Sequence, residues 1–271
     1  MDNSQLLYGH CQLDDLGVLA VRGRDASVFL QGQLSQDMTR LAPGRASFAG
    51  CHTPQGRVLA VLRLLVADDG YHCILPTDLV EPLAAHLRKY ILRAKVTLTD
   101  ERGTLRVIGE AQGEARTLRV ATPGDGGSIA HAAWRRQDIA AGLPQVYRAT
   151  SEVFVAQMLN LDCVAGIAFD KGCYTGQEII ARAHYRGRVK RRMQRFRTTA
   201  RPPAPLVPGV AGTLADGRPF QVVDAVSLED GRVEFLAVAP LVVAPPTPAP
   251  VEAGAAPIEA ETLPLPYALP D

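Results

Sequence analysis

The residues Lys171-Gly-Cys-Tyr-Thr-Gly-Gln-Glu178 place a thiol, an ammonium, two glycines and an amide–acid pair in one turn. Directly behind them, residues 179–185 read as a helix. Thr175 and Glu178 have the Thr-x-x-Glu spacing of a capping box. That spacing predicts a helix starting at Thr175, whose hydroxyl accepts from the amide of Glu178. Gly172 and Gly176 let the backbone turn tightly and approach another group closely. Cys173 then stands just outside a helix N-terminus, where the partial positive charge and Lys171 both favour a thiolate. Cys173 and Lys171 are therefore the candidate catalytic pair. The competing reading is structural, because a lone cysteine is commonly a small buried hydrophobe.

The whole chain narrows the chemistry further. At 271 residues and 47% hydrophobic content it can bury a sizeable core, as one large domain or two to three small ones. A formal charge of +1 gives no global attraction to nucleic acid or an anionic membrane. The charge is uneven, however: Arg182, Arg186, Arg188, Lys190, Arg191, Arg192 and Arg195 crowd one segment, and no lysine or arginine follows Arg232. That run reads as a solvated face or an RNA contact. The five cysteines are odd in number, widely spread and without Cys-x-x-Cys, which argues against a disulfide framework or a cysteine-built zinc site. His10–Cys11, Cys51–His52 and His72–Cys73 are adjacent pairs that point to opposite faces of a strand, so no metal site is expected. Residues 1–12 lack a basic-then-apolar signal pattern, and no apolar run approaches membrane-spanning length. The expectation is a reduced, cytoplasmic protein with no membrane partner.

Around this segment the pattern predicts strands at 17–22, 46–52, 58–67, 71–75, 95–99 and 105–109. Helices are expected from Asp25 through Met38 and from Thr77 or Asp78 through Ile91, with short ones at 138–143 and 152–159. Residues 114–136 are rich in Gly and Ala, hold Trp134 (the one tryptophan), and give no clear period. From 188 onward, short β-like runs separated by Gly-Asp turns suggest a small antiparallel barrel. Pro202-Pro-Ala-Pro205 reads as the linker into it, which divides the chain at 1–200 and 201–271. Residues 243–257 are Pro/Ala-rich, and the apolar tail 263–269 can dock back on the body. The helix–strand alternation with hairpins is α+β, not a parallel doubly wound sheet. Neither the Gly-x-Gly-x-x-Gly fingerprint nor a Walker phosphate loop is present.

The Lys171–Glu178 segment resembles the signature of the YgfZ-type folate-binding proteins, relatives of the aminomethyltransferase (T-protein) of the glycine cleavage system. The likeness extends to Ala141-Gly-Leu-Pro144, Gln157-Met-Leu-Asn-Leu-Asp162, Gly166-Ile-Ala-Phe169, Ala181-Arg182 and Tyr185-Arg-Gly187. Upstream it includes Gly23-Arg-Asp-Ala26, Phe29-Leu-Gln-Gly-Gln-Leu34 and the run HLRKYILRAKV at 86–96, and it reaches the ending Leu263-Pro-Leu-Pro-Tyr-Ala-Leu269. It is weakest at 110–136 and 242–257. The resemblance implies a three-lobed ring of ferredoxin-like halves and a C-terminal β-barrel, with tetrahydrofolate or a one-carbon derivative in the central hole. It also implies a role in assembly or repair of iron–sulfur proteins, among them the radical enzyme that methylthiolates tRNA.

A reduced folate needs a flat apolar slot, polar groups for its edge and positive charge for its glutamate tail. On the resemblance, Trp134 and Tyr174 supply ring faces, Gln177 or Glu178 reads the pterin edge, and Arg182 clamps carboxylates. Leu16 stands where bacterial relatives can place a tryptophan. The strand at Val58-Leu-Ala-Val61 lacks the acidic pair of true T-proteins. Cys173 is then a nucleophile toward a folate-borne one-carbon unit, a redox or iron–sulfur contact, or a packing residue. Three functions compete: a folate-dependent accessory factor for iron–sulfur proteins, an aminomethyl- or methyltransferase, and a tRNA-binding module built on the Arg182–Arg195 strip.

Overall fold

The computed structural model describes residues 6–124, 127–187, 189–241 and 256–270. Arg188 and most of the Pro/Ala-rich stretch 243–257 lie outside the described residues. The chain opens with strands β1 (Leu7–Gln12) and β2 (Leu16–Arg22), helix α1 (Ala26–Gln33), the meander β3 (Ser47–His52), β4 (Val58–Ala67), β5 (Gly70–Pro76), and helix α2 (Val80–Arg88). Strands β6 (Thr97–Asp100), β7 (Arg106–Gly113) and β8 (Ala115–Ala121) lead to helices α3 (His131–Ala140) and α4 (Gln177–Arg186). Strands β9 (Arg191–Thr198), β10 (Ala211–Thr213), β11 (Pro219–Ser227), β12 (Val233–Pro240) and β13 (Ala260–Leu263) follow.

These strands make three antiparallel sheets, in the orders β1-β7-β8, β3-β4-β5-β2-β6 and β10-β11-β12-β9-β13. The second sheet is covered on both faces, which explains why β4 (VLAVLRLLVA) is apolar almost throughout instead of alternating. Leu62 and Leu64 face the core shared with α1 and α2, whereas Leu65, with Val18 and Ile74, faces the first sheet and α3. Arg63 shares the Leu65 face, because alternate residues of a strand point the same way. In the third sheet the two edges meet: Ile258 N donates to Thr213 O at 2.8 Å and Ala215 N donates to Ile258 O at 3.0 Å. The sheet thereby closes on itself around Phe196, Phe220 and Phe235, the Phe235 ring centroid lying 5.4 Å from that of Phe196 and 5.7 Å from that of Phe220. Among the described residues, no helix is long and apolar enough to cross a membrane.

The mixed α/β class with antiparallel sheets is the one the sequence implies, but several boundaries differ. α1 stops at Gln33, not Met38, because Leu34 turns extended and bridges to Cys51. Asp25 does not cap α1 with its side chain; its carboxylate accepts from Lys95 N at 2.7 Å instead. The unclear stretch at 114–136 contains β8 and the start of α3, and 152–159 yields only a 3-10 turn at Ala156–Leu159. β9 lies inside the third sheet, so that sheet draws on chain from both sides of the expected division at 200/201.

The tail crosses back over the body. Tyr267 donates its hydroxyl to Gly142 O at 2.6 Å and accepts from Asn160 Nδ2 at 3.3 Å. Asn160, in a left-handed conformation, also donates to Met193 O at 2.8 Å, so one side chain ties the tail to β9. Replacing Tyr267 by Phe keeps the ring and removes only the hydroxyl, leaving two partners unmet. The expected cost is about 1–2 kcal/mol in urea denaturation, and an unchanged midpoint would show that the strap does not bear on stability.

Candidate functional site

α3 reads HAAWRRQDIA, and its polar side chains go to all three sheets. Arg135 reaches Asp224 of β11, with Nε at 2.8 Å, and Arg136 reaches Glu234 of β12 at 3.0 Å. Asp138 accepts from Arg63 of β4 at 2.7 Å and from Arg116 of β8 at 2.6 Å. Burial works against ionisation of Asp138, but Arg63 and Arg116 outweigh it and hold its pKa below the usual carboxylate value. Burial wins at Asp224, raising its pKa despite Arg135, and Tyr147, which donates to Asp224 at 3.2 Å, is raised by the same burial. His131 shares a 2.7 Å hydrogen bond with Asp15, which raises the imidazole pKa against the effect of burial.

Two of the cavities that α3 helps to line share Asp138. One, of about 20 Å³, lies among Leu16, Arg63, Trp134, Gln145, Tyr147 and Asp224. The other, of about 390 Å³, is lined by Arg45, Phe48, Arg116 and Leu118, and shares Arg63, Trp134, Asp138 and Leu143 with the first. Three buried polar atoms on these walls have no hydrogen-bond partner among the described residues: Arg63 Nε, Trp134 Nε1 and Gln145 Oε1. Orphaned buried groups of this kind are costly and call for a ligand or ordered water. Leu16 and Trp134 thus come together at one place. Trp134 does not offer a free face, however. Arg116 lies over its ring at 5.0 Å from the centroid. On β7, a Cβ at Gly109 would fall 2.6 Å from ring carbons, so only glycine admits the indole there.

The Cys173 loop forms a second centre. Lys171 is buried and its Nζ donates to the carbonyls of Gln31, Leu34 and Gln36 at 2.7, 2.7 and 2.8 Å, with the Tyr174 ring 5.0 Å away. Burial lowers its pKa to about 8. Three acceptors require three N–H donors, which only the ammonium has. That geometry places Lys171, expected from the sequence to be catalytic, with its ammonium engaged by three carbonyls at the end of α1. The capping box is also absent: α4 starts at Gln177, Gly176 precedes it at φ +82°, and Tyr174 N donates to Gln177 Oε1 at 3.3 Å. A Cβ at Gly176 would lie 2.6 Å from Thr53 O, so close approach is real there, whereas Gly172 meets nothing within 4 Å.

Tyr174 is buried, with its ring 6.2 Å from His52, whose two nitrogens have no partner among the described residues; burial pushes the His52 pKa down to about 3. Cys173 itself is exposed. The other four thiols are more enclosed, and burial pushes Cys11 and Cys163 up to about 11 and Cys51 and Cys73 up to about 12. Glu178 and Arg182 are exposed on α4, and neither they, Tyr174 nor Gln177 lines the cavities at α3. The single site expected from the sequence is therefore two. Among the described residues, no group of three His, Cys, Asp or Glu could hold a metal ion.

Arg63, Arg116, Asp138, Asp224 and Tyr147 escaped the sequence reading. Arg63 alone carried a usable signal, as the one charge in a ten-residue apolar strand, where a buried cation must find a partner.

The fold is that of the glycine cleavage T-proteins. Aminomethyltransferase T from Bartonella henselae superposes with a TM-score of 0.65 over 88% of this chain and 80% of its own, at 14% identity. No family model matches the chain. A tRNA-modifying protein YgfZ of Vibrio vulnificus is 30% identical over 230 residues, 71% of each chain. The YgfZ of Escherichia coli is 28% identical over 278 residues, 82% of each. An uncharacterised Haemophilus influenzae protein is 35% identical over 202 residues, 66% of this chain and 70% of its own. The chain belongs to the YgfZ family.

Two substitutions test these centres. Lys171→Met leaves three carbonyls without donors and is expected to cost about 3 kcal/mol or more in urea denaturation; a smaller loss than about 1 kcal/mol contradicts the staple. Asp138→Asn is expected to cost about 3–5 kcal/mol at neutral pH, because two buried guanidiniums lose their anion. The wild-type advantage is present above the unfolded carboxylate pKa of about 4 and is lost as pH falls through the lower folded value. Stability curves of the two proteins should converge below about pH 4, and parallel curves would exclude the ion-pair account.

Proposed function

We propose that this protein binds tetrahydrofolate or a one-carbon derivative in the cleft at α3. We further propose that it acts in the cytoplasm as an accessory factor for assembly or repair of iron–sulfur proteins, and through them for tRNA methylthiolation. The observation that carries the folate reading is the pair of orphaned donors, Arg63 Nε and Trp134 Nε1, beside the apolar walls of Phe48, Leu118 and Leu143, with the orphaned acceptor Gln145 Oε1 on the adjoining smaller cavity. A pterin offers both acceptors and donors along its edge, and Arg45, exposed beside the cleft, suits the carboxylates of a glutamate tail. Bound tetrahydrofolate would supply a carrier for a one-carbon unit. For a ring to stack on Trp134, Arg116 must leave its face and keep Asp138 as its remaining anchor.

The transferase alternative needs a carboxylate free to handle a folate nitrogen. Asp138 and Asp224, the buried acids of the cleft, are each held by arginine, and the start of β4 carries none. These contacts favour the accessory role. Cys173 is the group that faces a client, since it is exposed and the other cysteines are not. One thiol cannot hold a cluster that takes four ligands, so its contact with an iron–sulfur enzyme such as a radical tRNA methylthiotransferase is shared or transient.

Tetrahydrofolate is expected to quench the single tryptophan saturably, and Arg63→Gln to weaken that binding about tenfold; a flat titration would refute the folate reading. Cys173→Ala is expected to fold and bind folate as the wild type does, yet fail to restore iron–sulfur enzyme activity in cells lacking the protein. Full complementation would remove the thiol from the mechanism. Turnover of an aminomethylated lipoyl carrier protein would instead establish the transferase.

A further inference from the structure

Helix α4 is ten residues long and buries one of them, Ile180. Its fixed points are few: Gln157 Nε2 donates to Ile180 O at 2.8 Å. The remainder of the helix faces solvent with Arg182, His184, Tyr185 and Arg186, and the chain beyond adds Lys190 and Arg191, all exposed. Between residues 179 and 215 there is no aspartate or glutamate. No carboxylate among the described residues pairs with Arg182, Arg186, Lys190 or Arg191. The longer arginine strip does not exist as a surface, because Arg192 is buried on Asp162 and Arg195 on Glu234. What is left is a run of exposed cations along α4 and at the start of β9.

Aromatic rings lie within it. His184 stacks on Phe169 with centroids 3.8 Å apart and planes 20° apart, and Tyr185 meets both edge-on at 4.7 and 6.1 Å. Tyr185 is 68% exposed. The helix dipole accounts for cations in the last turn of α4, but it does not explain Arg182 or an open tyrosine. Arg182 and Arg186 are one turn apart, where like charges repel unless an anion lies between them.

We propose that this face binds single-stranded RNA, with Tyr185 stacking on an unpaired base and Arg182, Arg186, Lys190 and Arg191 meeting phosphates. Cations around an open ring are the arrangement that single strands use, since every unpaired base has a face to stack. A paired helix hides those faces. A protein partner fits less well, because interface centres are depleted in charge and Ile179 is the one exposed aliphatic residue of α4. The choice of RNA over DNA rests on the tRNA-linked role proposed above; the surface itself does not.

The test is fluorescence anisotropy with a labelled unstructured RNA, its blunt duplex, the DNA strand of the same sequence, and polyglutamate as an acidic-protein mimic. The single-stranded RNA is expected to bind about tenfold or more tighter than the duplex or polyglutamate, and Tyr185→Ala to weaken it by roughly tenfold. Arg182→Gln with Arg186→Gln should lower the slope of log K against log salt by about 1.4, at about 0.7 per phosphate. Unchanged affinity in Tyr185→Ala, preference for duplex or polyglutamate, or no binding would each overturn the proposal. The same variants should retain tetrahydrofolate quenching of Trp134, so loss of RNA binding and failure of the folate reading are read separately. Equal binding of RNA and DNA strands supports the surface and removes the tRNA link from its interpretation.

Discussion

Asp138 is the constraint on which the rest of the molecule turns. One carboxylate on α3 receives a guanidinium from the first sheet and another from the second, while Arg135 and Arg136 of the same helix reach carboxylates of the third. Taking these ions out of water is expensive, and an apolar joint of equal volume would commonly be as stable or more so. What the charged joint provides is geometry. Guanidinium–carboxylate pairs hold their partners at fixed distances and angles at this joint, while elsewhere Met193, Val223 and Leu236 of the third sheet pack into one core with the second. The cavities beside the charged joint are lined by Trp134, with Leu16 on the wall of the smaller one.

Lys171 repeats the logic at the thiol loop. Its ammonium gathers three carbonyls from 31–36, where α1 ends and no further helical donors are available. The loop is thereby tied down at its first residue, with Tyr174 buried and Gly176 pressed on Thr53. Between these anchors, Gly172 and Cys173 stay exposed at the surface. The thiol is thus held in the open by buried neighbours without being enclosed. The family segment Gln157 to Asp162 serves the same end, since Gln157 holds α4, Asn160 holds β9 and the tail, and Asp162 neutralises Arg192.

The local elements were largely legible. Strands β2 to β5 and β9, β11 and β12 carry apolar runs between Gly- or Asp-marked turns, and such runs declare themselves over a few residues. The ends of helices were not. α1 stops because Leu34 finds a partner in Cys51, and α4 starts late because Gly176 must turn under Thr53; both causes come from distant chain. The arginine run shows the same limit. Spacing made Arg182 to Arg195 look like one surface, while only the fold could say that Arg192 and Arg195 point inward to buried acids.

The sequence by itself determined the α+β class, the family through its Lys171–Glu178 signature, and the identity of the groups able to do chemistry. Those properties live in residue type and short-range spacing, which are complete before the chain folds. The tertiary structure alone decided which of those groups meet. It placed Trp134 under Arg116, set Lys171 on backbone carbonyls, and put the residues expected at one site in two places, a cleft and an exposed thiol loop. The physical reason is that a buried charge is tolerable only beside its counter-charge, and the counter-charges of Arg63, Arg135 and Arg136 stand 75, 89 and 98 residues away along the chain.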